Sequence, residues 1–194
     1  MKLYLTPGAC SLADHIAMHE AGLVFDRIRI DLETKRTEDG GDYTEINPKG
    51  YVPALMLDDG QLLTENVAIL SWVADHDPKL APRGELGRTR LIEMLAFIST
   101  ELHKPFIRSF FPTSDVEKEA AEDAIRRRLD FLAGRLRGDY LFGSEFSVAD
   151  AYLYVMLRWA RMKGLDLPEP LPAFVERVNA RPAVRLALQH EGLA

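Results

Sequence analysis

From residue 86 onward the apolar positions recur at helical spacing. Leu91, Leu95, Ile98 and Leu102 step by four, three and four, and Ala121, Ile125, Leu129, Leu132 and Leu136 continue the same way. Such stripes bury one face of a helix, so this part of the chain is predicted to be helical throughout. The segment after Ser147 is apolar on every side, with Val148, Ala149, Tyr152, Leu153, Val155, Met156, Leu157 and Trp159, and is expected at the centre of a bundle. Ser114-Asp-Val-Glu117 and Ser147-Val-Ala-Asp150 have the spacing by which a hydroxyl and a carboxylate satisfy free N–H groups at a helix start. Pro105 removes one helical N–H and is expected to bend its helix near Glu101 to His103.

The first 77 residues follow a different rhythm. Lys2 to Thr6 reads as a short strand closed by Pro7-Gly8, and Ser11-Leu-Ala-Asp14 again has capping spacing, opening a helix that Gly22 stops beyond Ala21. Ile28 and Ile30 alternate with Arg27, Arg29 and Asp31, the period of a half-exposed strand. Thr34 to Asp42 is expected to be a surface loop, with a helical turn near Tyr43. Ala54 to Leu57 and Gln61 to Leu63 flank Asp58-Asp59-Gly60 as a hairpin, and Val67 to Val73 begin another helix. Proline and glycine mark residues 78–85 as a linker. The chain is therefore divided into an α/β domain at 1–77 and an all-helical domain at 86–194.

The length, 194 residues, suffices for a sizeable core, and no apolar run reaches the roughly 18 to 20 residues of a membrane span. The apolar stretch behind Met1 is too short for a secretory signal, so a cytoplasmic protein is expected. The net charge of −6 is uneven: residues 1–77 carry 14 acidic and 6 basic groups, the remainder 16 and 18. No basic stripe offers itself to nucleic acid, and Arg126-Arg127-Arg128 reads as a solvated helix face. His15 and His19 stand one helical turn apart, a spacing that could grip a metal, but the sequence shows no third ligand and no metal site is expected.

The single cysteine, Cys10, lies between the first strand and the first helix. Free N–H groups and the helix dipole there are expected to favour a thiolate; burial as a small apolar residue is the alternative. Ser11 beside it is expected to cap the helix or to donate to a bound sulfur. Val52-Pro53 precedes a strand, and Thr64-Glu65-Asn66 opens a helix whose N–H groups suit a carboxylate while Glu65 suits an ammonium. Ala96, Ser99 and His103 form a small-residue face that leaves room for a cleft.

In this order, Pro7-Gly-Ala-Cys-Ser-Leu12, Thr34-Lys-Arg-Thr-Glu-Asp39, Ile46-Asn-Pro-Lys-Gly50, Val52-Pro-Ala-Leu55, Leu63-Thr-Glu65, Glu101-Leu-His-Lys104 and Ser147-Val-Ala-Asp-Ala-Tyr152 resemble the motifs of the cytosolic glutathione transferases, most closely the bacterial beta class, from end to end of the chain. The resemblance implies a thioredoxin-like N-terminal domain followed by an all-α bundle, a homodimer, and a cleft between the domains. It implies glutathione as co-substrate, with Cys10 at its sulfur, Val52 and a cis Pro53 pairing with its backbone, Glu65 and Asn66 at its γ-glutamyl end and Lys35 at its glycine carboxylate. His103, a catalytic group with Cys10 that would tune charge near the sulfur, would with Lys104 line the side of a hydrophobic electrophile, as in detoxification, and Thr100 and Glu101 would reach the partner's glutathione. Ser147 and Asp150 would serve folding. Asn66 stands in place of the usual serine, Ala96 in place of an asparagine, and Leu5 in place of the second tyrosine after Tyr4, for which a core position is expected. Conjugation and monothiol disulfide exchange or peroxidase chemistry are both open at such a site. A ligand carrier and a protein-docking module without turnover are the rival classes.

Overall fold

The computed structural model describes residues 1–136 and 138–194. Its centre in the N-terminal half is β1 (Lys2–Leu5), whose alternation sends Leu3 and Leu5 into the main core and Tyr4 to the other face. Parallel β2 (Asp26–Asp31) joins one edge, with Leu3 opposite Arg27, and antiparallel β4 (Ala54–Met56) joins the other, with Leu3 opposite Leu55. β5 (Leu62–Thr64) pairs with β4 through the expected hairpin, where Gly60 takes a φ of +85° that a side chain would strain. The segment expected to be a loop at Thr34–Asp42 instead contributes β3 (Arg36–Thr37), an edge strand on β2. Two residues are too few to carry a detectable period, which is why the pattern concealed it. The sheet order is β3-β2-β1-β4-β5.

Helix α1 (Leu12–Glu20) and α3 (Asn66–His76) cover the Leu3 and Leu5 face, while the short α2 (Tyr43–Ile46) covers the other. Tyr4 packs there on Tyr43, with ring centroids 5.6 Å apart, so its position is in the core as expected. This is the thioredoxin-like arrangement. A 3₁₀ turn at Pro78–Leu80 then leads to the helical half; Leu80 is buried, so this stretch is a packed connector and not a loose tether. Gly87 opens α4 (Gly87–Phe97) so close to Pro82 that a Cβ would stand 2.0 Å from its carbonyl oxygen.

The bend expected at Pro105 takes another form. Ile98–His103 widens into a π-helical turn that runs from α4 into α5 (Lys104–Phe110), accommodating the ring and its missing N–H without breaking the helix. α6 (Asp115–Arg135) buries Ala121, Ile125, Leu129 and Leu132 on one stripe, and its Arg126 and Arg128 are paired with carboxylates. α7 (Val148–Met162) is buried along nearly its whole length, as the apolar run predicts, and α8 (Leu171–Asn179) and α9 (Pro182–Glu191) close the bundle. No helix among the described residues is long and apolar enough to cross a membrane.

The three capping sequences diverge. Ser114 accepts from the Glu117 N–H at 3.2 Å, and Ser147 with Asp150 forms the full reciprocal box. Ser11 does not cap α1: the N–H groups of Leu12 and Ala13 are already taken by the carbonyls of Ala9 and Cys10, and the Ser11 hydroxyl folds back on the Thr6 main chain. Asp150 is buried and accepts from the N–H groups of Leu141 and Ser147, both at 2.8 Å, and from the Ser147 hydroxyl at 2.6 Å. Asp150→Ala strands all three donors and is expected to lower the unfolding free energy by about 3 kcal/mol or more. Urea denaturation checks this, and a loss under about 1 kcal/mol contradicts it.

Candidate active site

The loop between β1 and α1 carries Cys10 and is clamped from the helical half. The Gly8 N–H donates to Glu191 Oε2 at 2.8 Å, and the Gly8 carbonyl accepts from the Trp159 indole at 2.8 Å. Gly8 takes φ +73°, the turn at which its N–H and its carbonyl both meet the helical half. Cys10 is buried, and its thiol points at the Val52 carbonyl, 3.5 Å away, across the cis Val52–Pro53 bond.

Two opposing effects act on that thiol. The N–H groups of Cys10 and Ser11 face the sulfur and favour a thiolate, as the position before a helix suggests, but burial and nearby Asp14 outweigh them and push the thiol strongly upward. The lowered pKa expected from the helix N-terminus is therefore overturned: Cys10 is a protonated hydrogen-bond donor at neutral pH. Asp14, itself raised well above the carboxylate range by burial, accepts at 2.8 Å from the Asn66 amide, which also donates to the Cys10 carbonyl at 2.9 Å. The carboxamide of Asn66 thus ties α3 to α1 and is turned into the protein.

At the start of α3, Glu65 holds φ +75°, a conformation that costs a non-glycine residue roughly 1–3 kcal/mol. Its carboxylate accepts from Lys49 Nζ at 2.6 Å and from the Tyr51 hydroxyl at 2.7 Å, and these bonds hold it below the usual carboxylate range. Lys35 has a similar backbone, with φ +56°, and its stem lies over Gly50.

Across from Cys10, His103 Nδ1 lies 2.7 Å from the Tyr152 hydroxyl, and the imidazole packs edge-on against Trp159 at 5.2 Å. Burial lowers the imidazole to about 4, with Lys104 adding to the effect, so His103 is neutral at pH 7. Phe110 stands edge-on to Trp159 at 5.3 Å, and Phe111 and Met162 are exposed at the rim.

These groups enclose one cleft of about 670 Å³. Cys10, Val52, Pro53, Glu65 and Asn66 form one wall, and His103 and Lys104 belong to the other. Ser11, Lys35, Thr100 and Glu101 are not on its surface: Ser11 bonds Thr6, the exposed Thr100 donates to the Ala96 carbonyl, and Glu101 receives Arg128 at 2.5 Å. The sequence reading did not single out Tyr152 and Trp159 as site residues, since an all-apolar helix reads as core. A tyrosine and a tryptophan in such a helix need partners for their O–H and N–H, and that need was the available signal.

Comparison with known proteins agrees with the motif order. The family model described as glutathione S-transferase, N-terminal domain, matches residues 9–76, and that for the C-terminal domain matches residues 94–182. Glutathione S-transferase GstA of Escherichia coli O157:H7 is 45% identical over 200 residues, covering all of both chains. A sphingomonad glutathione S-transferase complexed with glutathione superposes with a TM-score of 0.93 at 47% identity, and a bacterial beta-class glutathione S-transferase from Sphingomonas chungbukensis with 0.93 at 48%, each covering 100% of both chains. The chain belongs to the glutathione S-transferases, enzymes that take glutathione as co-substrate. Its nearness to beta-class structures agrees with the resemblance read from the motifs.

Two outcomes are expected. Alkylation of Cys10 by iodoacetamide, followed by intact mass, should be slow at pH 7 and rise about tenfold per pH unit; rapid labelling at pH 7 contradicts a protonated thiol. For His103, native and unfolded states are both neutral above pH 6.5, so the group adds no pH dependence there. Between pH 6.5 and about 4 only the unfolded chain takes up the proton, and stability falls as pH falls. His103→Gln should remove that part of the slope, of the order of 3 kcal/mol at most, and unchanged slopes of urea midpoint against pH contradict the assignment.

Proposed function

We propose that the cleft binds glutathione with its cysteinyl backbone along Val52 and Pro53 and conjugates its sulfur to an apolar aromatic electrophile held against Phe110 and Trp159. The observation that carries this reading is the meeting of Cys10, Val52, Pro53 and Glu65 with His103, Lys104 and Trp159 around one cavity. A tripeptide amide pairing with the Val52 main chain takes over the carbonyl that the Cys10 thiol now faces. The thiol is then free to donate to the glutathione sulfur, joined by the N–H groups of Cys10 and Ser11 and the charge of Lys104. Together they stabilise an ionised sulfur where water is largely excluded.

The γ-glutamyl ammonium is assigned to Glu65, which Lys49 and Tyr51 keep ionised and oriented, and its carboxylate to the N–H groups of the first turn of α3. Asn66 contributes by main chain and by anchoring that turn, and Lys35 is assigned to the glycine carboxylate. His103, neutral and bonded to Tyr152, orients the electrophile side without adding charge. In the reaction the sulfur lone pair forms the new C–S bond, and the leaving group departs with the bonding pair. Proximity in the cleft supplies the remainder of the rate.

Disulfide exchange requires Cys10 itself to ionise and attack an oxidised glutathione, which burial opposes, so conjugation is placed first and exchange second. The proposal includes a cytoplasmic homodimer divided into domains at 1–77 and 86–194, with exposed Thr100 and the Arg128-held Glu101 at the partner's glutathione. Turnover separates it from the binding-module reading, in which the pocket binds its ligand without conjugating it.

Retention on immobilised glutathione, followed by turnover with a chlorinated nitrobenzene, tests this. The parent should be retained and turn over, and Cys10→Ala should lose the mixed disulfide with oxidised glutathione while conjugation falls by about tenfold, the worth of one hydrogen bond to a charged sulfur. Absence of both retention and turnover in the parent would overturn the reading.

A further inference from the structure

On the far side of the Cys10 loop, His15 and His19 of α1 meet His190 of α9, with one ring nitrogen from each lying within 4.8 Å of the others. We propose that these three histidines form a binding site for a divalent transition metal ion such as Zn²⁺, separate from the glutathione cleft.

The chemistry of the donors supports it. His15 is buried, its Nδ1 lies 2.8 Å from Glu191 Oε1, and its Nε2 has no partner, as is also true of His19 Nε2. A carboxylate opposite Nδ1 fixes the proton there and leaves Nε2 as a bare lone pair, the outer-shell arrangement that metal-binding histidines use. Two buried lone pairs without donors have a cost in a folded protein, which an ion would remove. Three imidazoles with an open fourth position for water make a recognised zinc donor set.

An aromatic ring borders the cluster. Phe25 packs on His15 and His19, with centroids 5.8 and 5.1 Å away. Zinc–nitrogen bonds of about 2.0–2.1 Å require the rings to close by about 1 Å, and His19 and His190 are only partly buried. A cleft of about 360 Å³ bordered by Arg27, Arg29, Glu38, His190 and Glu191 gives an ion its path in.

One group opposes the ion. The Arg27 guanidinium lies 3.1 Å from His190 Nδ1, where it competes for the lone pair and repels a cation. Arg27 is exposed and can swing out at little cost, while Arg29 stays on the His190 carbonyl at 2.9 Å.

The test is titration of the untagged full chain with Zn²⁺ by calorimetry, in the absence of glutathione, paired with Co²⁺ absorption. One ion per chain and the intense visible bands of four-coordinate Co²⁺ are expected. His19→Ala and His190→Ala should each weaken binding by at least about tenfold, abolish the bands and cancel the rise in Tm that Zn²⁺ confers on the parent. Their conjugation activity without added metal should match the parent's, which controls for folding. Arg27→Ala should bind more tightly. Absence of stoichiometric binding in the parent, equal binding in the two histidine variants, or binding in Arg27→Ala no tighter than the parent's would overturn the proposal.

Discussion

The two peptide groups that flank the Gly8 Cα are both fixed by the helical half, the N–H of Gly8 by Glu191 and its carbonyl by the Trp159 indole. The other ties on the loop that carries Cys10, from Asn66, Val52 and Thr6, all lie within the first 77 residues, so this clamp is what fixes it against the helical half. With it, a residue of the first strand's exit and residues of the last two thirds of the chain share one rigid frame. The clamp depends in turn on α7 being buried along its length, because only a helix packed on every side can aim the Trp159 N–H across the boundary. Trp159 also supplies the surface on which His103 and Phe110 rest, so anchoring the loop and shaping the cleft are two uses of one side chain.

The electrostatics of the site follow from burial more than from the helix dipole. Both influences act on Cys10, and the N–H groups of Cys10 and Ser11 do favour a thiolate, yet removal of the sulfur from water is the larger effect. The same rule makes His103 a neutral base at pH 7 and raises the Asp14 carboxyl above its usual range. The thiol of Cys10 and the imidazole of His103, which line the cleft, are therefore both uncharged at pH 7. Charge is concentrated at the rim, where Lys49, Glu65 and Lys104 meet water.

Much of this was legible in the chain. The helical period of Leu91 to Leu102 and of Ala121 to Leu132, the Asp58-Asp59-Gly60 turn and the Ser147 box each reappear in place, because each is a local rule satisfied by neighbours in sequence. β3 escaped notice because two residues carry no period. Ser11 shares its capping spacing with Ser114 and Ser147 but does not cap, since the turn before it already supplies carbonyls to the free N–H groups. His190 could not be joined to His15 and His19 by any spacing rule, for it lies on a different helix at the other end of the chain.

Sequence alone therefore determined the elements other than β3, their order, the change from mixed to helical architecture and the motifs that carry Cys10, Val52, Pro53 and Glu65. Those features rest on periodicity, turn chemistry and motif order, all of which act over a few residues. The protonation of Cys10 and His103, the inward turn of the Asn66 amide, the place of Tyr152 and Trp159 in the cleft and the convergence of three histidines were decided by tertiary structure. Each depends on how much water is excluded and which distant groups approach, and those quantities exist only after the chain has packed.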